Sequence, residues 1–403
     1  MKIIATAFTC EPNLGSEYEV GWRWSQALGK FSDSLVLVRK KSFDNLVGLL
    51  IDDDIYGPVK IINSVKYKSI DFPFLNILLG ERILMRTHYF FWMILCLIWI
   101  RLHKTRFDFN HHICFVAPWC PPITYFSGLP FVWGPIGTGA KIPSWIGVSL
   151  QVISWNVVTQ ILSRYNPLMT YIKNRSKAVF PINEHVNRLI CGDRNYNSHV
   201  IPAIAADGSN IASSCNFSNI DTATIIFSGR NVPFKMPLLT ARVGAILLSK
   251  YPNLKFIMIG EGLRNLSDKI DCRISILEPV DQISFQLLLT KANLLLFPTT
   301  EGSGFVALEA LAVGLPIVCL EDSGPHDFIN GVAGISCPIK DSMEGTALSL
   351  AAACERLLSD RHFWEQCSNM AIFSAKKLTW NKLESRLKNI YCEMSASETG
   401  SCM

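Results

Sequence analysis

Charge is the scarcest ingredient of this sequence. Only 18% of its 403 residues are Asp, Glu, Lys or Arg, whereas about 25% is typical of a soluble domain. The chain also lacks internal repeats and low-complexity tracts, and 49% of it is hydrophobic, which excludes a disordered protein. Its net charge of +5 is not gathered into the basic stripes of a nucleic-acid binder. We therefore expect no nucleic-acid partner, while anionic small molecules or an anionic membrane surface stay compatible with the charge.

The 13 cysteines contain no Cys-x-x-Cys pair. An odd number of cysteines without motif spacing predicts reduced, mostly buried thiols and a cytoplasmic protein. The amino terminus has too short an apolar run for a secretory signal. His111, His112 and Cys114 lie close in sequence, but no second cluster follows at zinc-like spacing. We expect no metal and no cofactor.

The shortage of charged residues is most marked in residues 87–100, which read THYFFWMILCLIWI. As a helix this stretch would rise roughly 21 Å, less than the ~30 Å hydrocarbon core of a bilayer, so a spanning helix is not predicted. Two alternatives stay open: a helix buried under a sheet, or peripheral contact with the inner face of the plasma membrane. The second would place Tyr89, Phe90, Phe91, Trp92 and Trp99 at the interface, and Arg82, Arg86, Arg101, Lys104 and Arg106 near the head groups.

Short apolar, β-branched runs recur at helix-length intervals. Such runs predict parallel strands buried on both faces, and hence an α/β fold. We expect two Rossmann-like doubly wound domains, residues 1–190 and 200–378, facing a central cleft in which ligands bind beyond the carboxyl ends of the strands. The predicted strands are residues 2–8, 34–39, 59–63, 131–133 and 178–182, then 224–228, 255–259, 273–277, 293–298 and 316–320.

The most informative segment is residues 297–320, FPTTEGSGFVALEALAVGLPIVCL. It predicts a strand, a glycine-containing loop and a helix over 305–313. Gly304 and the backbone amides of Phe305 and Val306 form a predicted anion site, because the first amides of a helix lack internal partners. Glu301 and Glu309 flank it, and carboxylates accept hydrogen bonds from hydroxyls. A phosphate between two hydroxyl-rich groups describes a sugar nucleotide; alternatively, the two carboxylates are ordinary helix charges.

Two further loops follow predicted strands of the same half. Residues 224–235, TIIFSGRNVPFK, place Arg230 and Lys235 after a strand, where they could clamp a diphosphate. Residues 255–262, KFIMIGEG, place Gly260 and Gly262 after the next strand, where backbone could line a base or ribose. Each loop alone is also compatible with an ordinary surface. All three on one sheet favour a nucleotide-sugar site.

Together these motifs resemble the nucleotide-sugar half of retaining glycosyltransferases of the GT-B fold, the "glycosyl transferase group 1" family. The Glu-x7-Glu pair of Glu301 and Glu309 is the most specific mark. The resemblance continues through residues 321–328 and a closing helix at about 380–395 that crosses back to the first domain. Residues 10–24, CEPNLGSEYEVGWRW, resemble the family's first glycine-containing loop, and residues 111–112 and 130–139 resemble one branch of it.

The resemblance implies a role for each of these residues. Arg230 and Lys235 would bind the donor diphosphate, Glu301 the donor sugar and Glu309 the ribose. Amides after Gly304 would complete the phosphate contacts, and Gly15 would approach them on closure. The implied reaction transfers a sugar from a nucleotide-diphosphate sugar to a saccharide or lipid-linked acceptor with retention of configuration, in surface polysaccharide synthesis. Residues 1–190 would be the acceptor side and 200–378 the donor side.

One departure from the family pattern leaves the catalytic residues of the first domain undecided. Many members carry a His near the position of Trp133, where this chain reads Trp-Gly-Pro. His111 and His112 are the substitute candidates for catalysis; alternatively, they pack under Trp133. Two other functions therefore stay open: a nucleotide-sugar epimerase on a similar fold, and a non-catalytic, membrane-docked relative.

Overall fold

The computed structural model describes residues 1–12, 14–51, 64–71, 81–117, 119–137, 142–146, 158, 161, 165–191, 197–208, 211 and 215–399. The chain divides into two compact units. The first comprises Met1–Thr138, Thr159–Ala203 and Asn381–Met403, and the second comprises Gly139–Val158 and Ile204–Trp380. Each unit is built on its own parallel sheet of six strands.

The first unit alternates strands and helices. Its sheet has the order β3-β2-β1-β4-β5-β6, so that the chain reverses direction across the sheet between β1 and β4. Its elements are β1 (Lys2–Ala7), α1 (Ser16–Gly29), β2 (Asp33–Val38), α2 (Lys40–Ile51), β3 (Val65–Ser69), α3 (Glu81–His103), β4 (Phe109–Cys114), β5 (Phe131–Ile136), α4 (Pro167–Arg175), β6 (Ala178–Pro181) and α5 (Glu184–Cys191).

The second unit repeats this plan. Its sheet has the order β12-β11-β10-β7-β8-β9, which reverses between β7 and β10. Its elements are β7 (Thr224–Ser228), α6 (Pro237–Lys250), β8 (Lys255–Ile259), β9 (Ser275–Leu277), α7 (Gln282–Lys291), β10 (Leu294–Phe297), α8 (Phe305–Ala312), β11 (Ile317–Leu320), α9 (Gly324–Ile329), β12 (Gly334–Cys337), α10 (Met343–Ser359) and α11 (Arg361–Lys377); α12 (Trp380–Thr399) follows.

These sheets confirm the predicted α/β fold with two doubly wound units. The predicted strand at 59–63 lies outside the described residues, and three observed strands were not predicted. β4 reads FNHHIC, and its buried Asn and His residues hide it from an apolar pattern. β3 is an edge strand with exposed lysines, and β12 is four residues long. The sequence also assigned 142–146 to the first domain, whereas this segment belongs to the second unit, where the Trp145 indole Nε1 donates to the Lys340 carbonyl at 2.9 Å.

Residues 87–100 lie inside α3, and one side of this helix is core. Tyr89, Trp92, Met93, Cys96 and Ile100 are at most 1% exposed and pack with Ile4, Phe8 and Leu37 of the first sheet. The interfacial positions predicted for Tyr89 and Trp92 are therefore wrong, because both rings belong to the core. No helix in the described part of the chain has the length and apolar character needed to cross a membrane.

α12 is held to the first sheet by a buried hydrogen bond. The Tyr391 hydroxyl lies 2.6 Å from His111 Nδ1, and His111 Nε2 lies 2.7 Å from the Gly134 carbonyl oxygen. Because a carbonyl only accepts, Nε2 carries the proton of the neutral ring and Nδ1 accepts from the tyrosine. Both Tyr391 and His111 are fully buried. The closing helix is thus tied to β4 and β5 through one imidazole.

We expect Tyr391→Phe to lower the free energy of unfolding by about 1–3 kcal/mol, because it leaves a buried imidazole nitrogen without a partner. Denaturant unfolding followed by circular dichroism measures this. Tyr171→Phe, which removes a hydroxyl from a 43% exposed ring in the same unit, is the matched control and should change stability by at most about 0.5 kcal/mol. Equal stabilities for the two variants would contradict a structural role for this bond.

Candidate active site

The predicted donor loops meet where the second sheet reverses its strand order. β7 and β10 are parallel neighbours, with Ile225 opposite Leu294. Their carboxyl ends therefore lie at the same edge, at the topological switch point where open α/β sheets bind ligands. Residues 229–235 leave β7 there and residues 298–304 leave β10. Two loops that are distant in sequence are thus brought side by side.

An ion pair joins these two loops. Lys235 Nζ donates to Glu301 Oε1 at 2.7 Å, and the two side chains are 14% and 20% exposed. The same ammonium lies 4.7 Å from the centre of the buried Phe297 ring. The loop backbones also bond directly, since the Thr300 amide donates to the Phe234 carbonyl at 2.9 Å. Lys235 and Glu301 are therefore held in place by the loops that carry them.

The environment of Glu301 is unusual for a carboxylate. Burial raises its pKa above the ordinary value, because the charged form loses contact with water. Lys235, and more weakly Arg230, oppose this effect. Arg230 itself is exposed at the start of the β7 loop. The site thus contains two cations and one largely desolvated carboxyl group.

The loop from Glu301 leads directly into α8. The amides of Ala307 and Leu308 both bond to the Gly304 carbonyl, at 3.0 and 3.3 Å. Helix geometry leaves the preceding amides, those of Phe305 and Val306, without an intrahelical acceptor. Gly304 has φ 178°, which any residue can adopt, but a Cβ there would lie 3.0 Å from Glu301 Oε1, a tight contact that would displace the carboxylate by a few tenths of an ångström. The helix start is therefore in direct contact with the ion pair.

Thr300, in the same loop, adds an unsatisfied group to this site. Its side chain is 1% exposed, and its hydroxyl Oγ1 has no hydrogen-bond partner in the described structure. Buried hydroxyls normally have a partner. A group that is unsatisfied at a loop between a strand end and a helix start is available for one more hydrogen bond.

Glu309 lies on α8, one turn beyond the helix start. Its Oε1 accepts from Gln282 Nε2 at 2.6 Å. Gln282 is the first residue of α7, which begins after the cap Asp281, whose carboxylate accepts from the Ser284 amide at 2.9 Å. Sequence reasoning did not identify Gln282, since an isolated glutamine at a helix start has no recognisable spacing. The structure thus adds one polar side chain to the predicted set.

The glycines after β8 serve loop packing. Gly260 has φ +153°, and a Cβ there would lie 2.1 Å from the Gly229 carbonyl oxygen. The loops after β7 and β8 can approach only because this side chain is absent, and the Asn231 amide then bonds to the Glu261 carbonyl at 2.9 Å. Gly262 has φ +75°, in the left-handed region that favours glycine. Both glycines therefore shape the edge on which Arg230 lies, and their predicted contacts with donor stay a prediction.

The predicted residues of the first unit fall into two groups. Gly15 precedes α1 with φ +62°, and its approach to a donor stays a prediction. His111 and His112 are fully buried. His112 bonds to the Thr6 hydroxyl at 2.8 Å and to the Tyr89 hydroxyl at 2.9 Å, so both of its ring nitrogens have partners. Burial lowers the pKa of His111 to about 4 and that of His112 to about 3. This geometry favours the packing alternative for both residues.

Within the described ranges, no three His, Cys, Asp or Glu side chains lie close enough together to hold a metal ion. The groups that the site offers a ligand are cations, helix-start amides and carboxylates. Cations and amides bind phosphate, and carboxylates accept hydrogen bonds from hydroxyls. The arrangement is suited to a ligand with both chemistries.

Sequence comparison finds a family match for the segment that carries these loops. Residues 222–360 match the family described as "Glycosyl transferases group 1". A D-inositol 3-phosphate glycosyltransferase of Mycobacterium bovis is 29% identical over 143 residues, and the same figures hold for a Mycobacterium tuberculosis protein of that name. Each match covers 32% of this chain and 27% of the relative's length.

Structural comparison covers nearly the whole chain. Sucrose-phosphate synthase of Thermosynechococcus elongatus matches with a TM-score of 0.69 at 13% identity, over 98% of this chain and 99% of that one. Anabaena HepE in complex with UDP-glucose matches with a TM-score of 0.61 at 13% identity, over 98% and 100%. TarM matches with a TM-score of 0.65 at 12% identity, over 97% and 98%. Residues 222–360 thus match the glycosyl transferases group 1 family, on a chain whose two parallel sheets have the GT-B fold.

Proposed function

We propose that this protein transfers a sugar from a nucleotide-diphosphate sugar to a saccharide or lipid-linked acceptor. The observation that carries the proposal is the Lys235–Glu301 ion pair at 2.7 Å, placed at the switch point beside the start of α8. The family of residues 222–360 supports glycosyl transfer. HepE, a structural neighbour described with UDP-glucose, supports a nucleotide-sugar donor.

The cations and amides would act on the leaving group. Cleavage of the anomeric C–O bond leaves negative charge on the diphosphate. Arg230, Lys235 and the amides of Phe305 and Val306 would stabilise that charge as it develops, which is the largest contribution to many enzymatic rates. Glu301 holds Lys235 in position before the donor arrives. The diphosphate would then share this ammonium with the carboxylate.

The carboxylates would orient the sugar and the nucleotide. Glu301 would accept from donor-sugar hydroxyls near the anomeric carbon, and Glu309, already paired with Gln282, would accept from ribose hydroxyls. The resemblance to retaining enzymes further suggests an oxocarbenium-like transition state, with the departing phosphate taking the acceptor proton. Configuration at the anomeric carbon would then be retained. Surface polysaccharide synthesis is the pathway class that fits such an acceptor.

We expect Lys235→Ala and Glu309→Ala each to reduce donor turnover, with Lys235→Ala lowering kcat by about 10²–10³ because a preorganised cation is lost from the leaving group. Release of nucleotide diphosphate from UDP-glucose, with and without a saccharide acceptor, measures this. Lys250→Ala is the matched control, since Lys250 also forms an ion pair in this unit, at 2.9 Å with Glu355, but is 58% exposed.

Unchanged turnover in Lys235→Ala and Glu309→Ala would contradict the site assignment. Formation of an epimer of the donor without acceptor would instead establish the epimerase alternative. Absence of nucleotide binding in titration calorimetry would favour a non-catalytic relative. The three results are distinct, because each one measures a different product or complex.

The raised pKa of Glu301 gives a pH prediction. A carboxyl with a raised pKa takes up its proton at a higher pH than an ordinary glutamate, so the charged partner of Lys235 is lost earlier on acidification. We expect kcat/KM to fall as the pH decreases, with a midpoint above the ordinary glutamate value of 4.5. A pH–rate profile measures this midpoint.

Two variants separate Glu301 from other acids. Glu301→Gln should lower the overall rate and remove the acid limb, because its side chain does not titrate. Glu344→Gln, which breaks a 2.7 Å ion pair with Arg242 at the surface of the same unit, should leave the limb in place. An acid limb that persists in Glu301→Gln would assign the titration to another group.

A further inference from the structure

The outward face of α3 is apolar. Phe91, Ile98 and Leu102 are 39%, 52% and 75% exposed. Their spacing of seven and four residues places them on one side of the helix, because 3.6 residues make a turn. A solvent-facing helix side normally carries polar residues. The core side of α3 explains Tyr89 and Trp92, but it does not explain this second apolar side.

The apolar surface extends beyond the helix. Arg101 Nε donates to the Phe126 carbonyl at 2.9 Å, which joins α3 to the turn that contains Phe126. The Phe126 ring, 37% exposed, stacks on Tyr171 with centroids 6.3 Å apart, and Tyr171 is 43% exposed. We call this surface the α3 patch. It consists of Phe90, Phe91, Ile98, Leu102, Phe126 and Tyr171.

Basic side chains border the patch. Arg101 and Lys104 are exposed at the carboxyl end of α3, and the Arg175 guanidinium lies 4.2 Å from the centre of the Tyr171 ring. The patch residues themselves carry no charge. Aromatic rings with cations at their edge are typical of surfaces that lie at a membrane interface, where rings enter the head-group level and cations remain near phosphates.

A cavity of about 700 Å³ lies next to the carboxyl end of α3, at the amino edge of the first sheet. Lys2, Lys66 and Arg106 line it, with Asp33 as the acidic residue among its lining side chains. Asp108 is also close, and its carboxylate accepts from the Lys2 backbone amide at 2.7 Å. Because the lining cations outnumber the acid, the cavity suits a phosphate-bearing head group.

We propose that the α3 patch is a membrane-contacting surface of the first unit, which binds bilayers containing anionic lipids, with the Lys2–Lys66–Arg106 cavity accepting a lipid phosphate. Charge complementarity selects this occupant, because the patch is bordered by cations and adjoins a basic cavity. The patch would lie in the interface plane, as amphipathic helices do, rather than span the bilayer. The proposal does not depend on the donor chemistry, since vesicle binding requires no turnover.

The test is co-sedimentation of the full chain with vesicles of phosphatidylcholine alone or mixed with phosphatidylglycerol. We expect binding to the mixed vesicles and weaker binding at high salt, which screens charge. Ile98→Asn with Leu102→Gln should weaken binding by roughly tenfold or more, because two apolar side chains no longer enter the interface. Ile283→Asn with Leu287→Gln is the matched control: this Ile–Leu pair has the same spacing and is 75% and 55% exposed on α7 of the other unit.

The basic residues are tested separately. Lys66→Gln with Arg106→Gln should weaken binding to the mixed vesicles by about fivefold for each charge removed, and binding to phosphatidylcholine alone should not change. Inorganic phosphate at increasing concentration, with the ionic strength held constant by sodium chloride, distinguishes a free-anion site from screening. Full competition with the mixed vesicles under these conditions would show that the cavity binds phosphate without a bilayer, and would overturn the lipid assignment.

Three results would overturn the membrane proposal. The first is absence of binding to either vesicle by the unmodified chain. The second is equal weakening by the Ile98/Leu102 and Ile283/Leu287 variants. The third is self-association of the unmodified chain in light scattering, with no vesicle binding and with loss of the self-association in the Ile98/Leu102 variant. That result would make the patch an interface between copies of this chain. Retained donor hydrolysis in the Ile98/Leu102 variant separates any of these failures from a failure of the donor site.

Discussion

The reversal of strand order between β7 and β10 is the constraint on which the site depends. Because these strands are parallel neighbours, the loops that follow them leave the sheet at one edge, and Lys235 meets Glu301 although 66 residues separate them. The ion pair, the tight approach at Gly304 and the start of α8 all follow from that adjacency. A loop moved to another strand end would carry the same residues without bringing them together.

The burial of this ion pair affects the protonation of Glu301. A carboxyl group removed from water would ordinarily protonate, and Lys235 opposes that tendency at 2.7 Å. Desolvating both charges costs free energy, and under the proposed function the donor diphosphate would share the ammonium with the carboxylate. The unsatisfied Thr300 hydroxyl and the first amides of α8 are further hydrogen-bond donors that such a ligand could use. Under the proposed function, these groups would gain an anionic partner when the donor diphosphate binds.

The first unit uses similar residues for a different purpose. His111 and His112 are candidates for catalysis by residue type, but their burial and complete hydrogen bonding make them part of the core. They accompany Asn110 in a strand whose polar residues are all buried, and such a strand does not have the apolar run that is typical of a buried parallel strand. The apolar stretch at 87–100 differs from β4, because its composition indicates burial but only part of it is buried. One of its sides forms the core that its composition suggests, and the other side lies outside that core.

The sequence alone determined the α/β class and the strands β7 and β8, because buried parallel strands have a local apolar signature. It also indicated which charged residues follow these strands, because they lie in loops that contain glycine. Glu301 and Glu309 could also be recognised as a pair, because they are separated by only seven residues of one loop and the helix that follows it. Only the tertiary structure decided that Lys235 pairs with Glu301, that Gln282 reaches Glu309, and that Tyr89 and Trp92 are buried while Ile98 and Leu102 are exposed. The physical reason is that partners distant in sequence, and the side of a helix that faces a sheet, are set by which strands become neighbours. No local pattern contains that information.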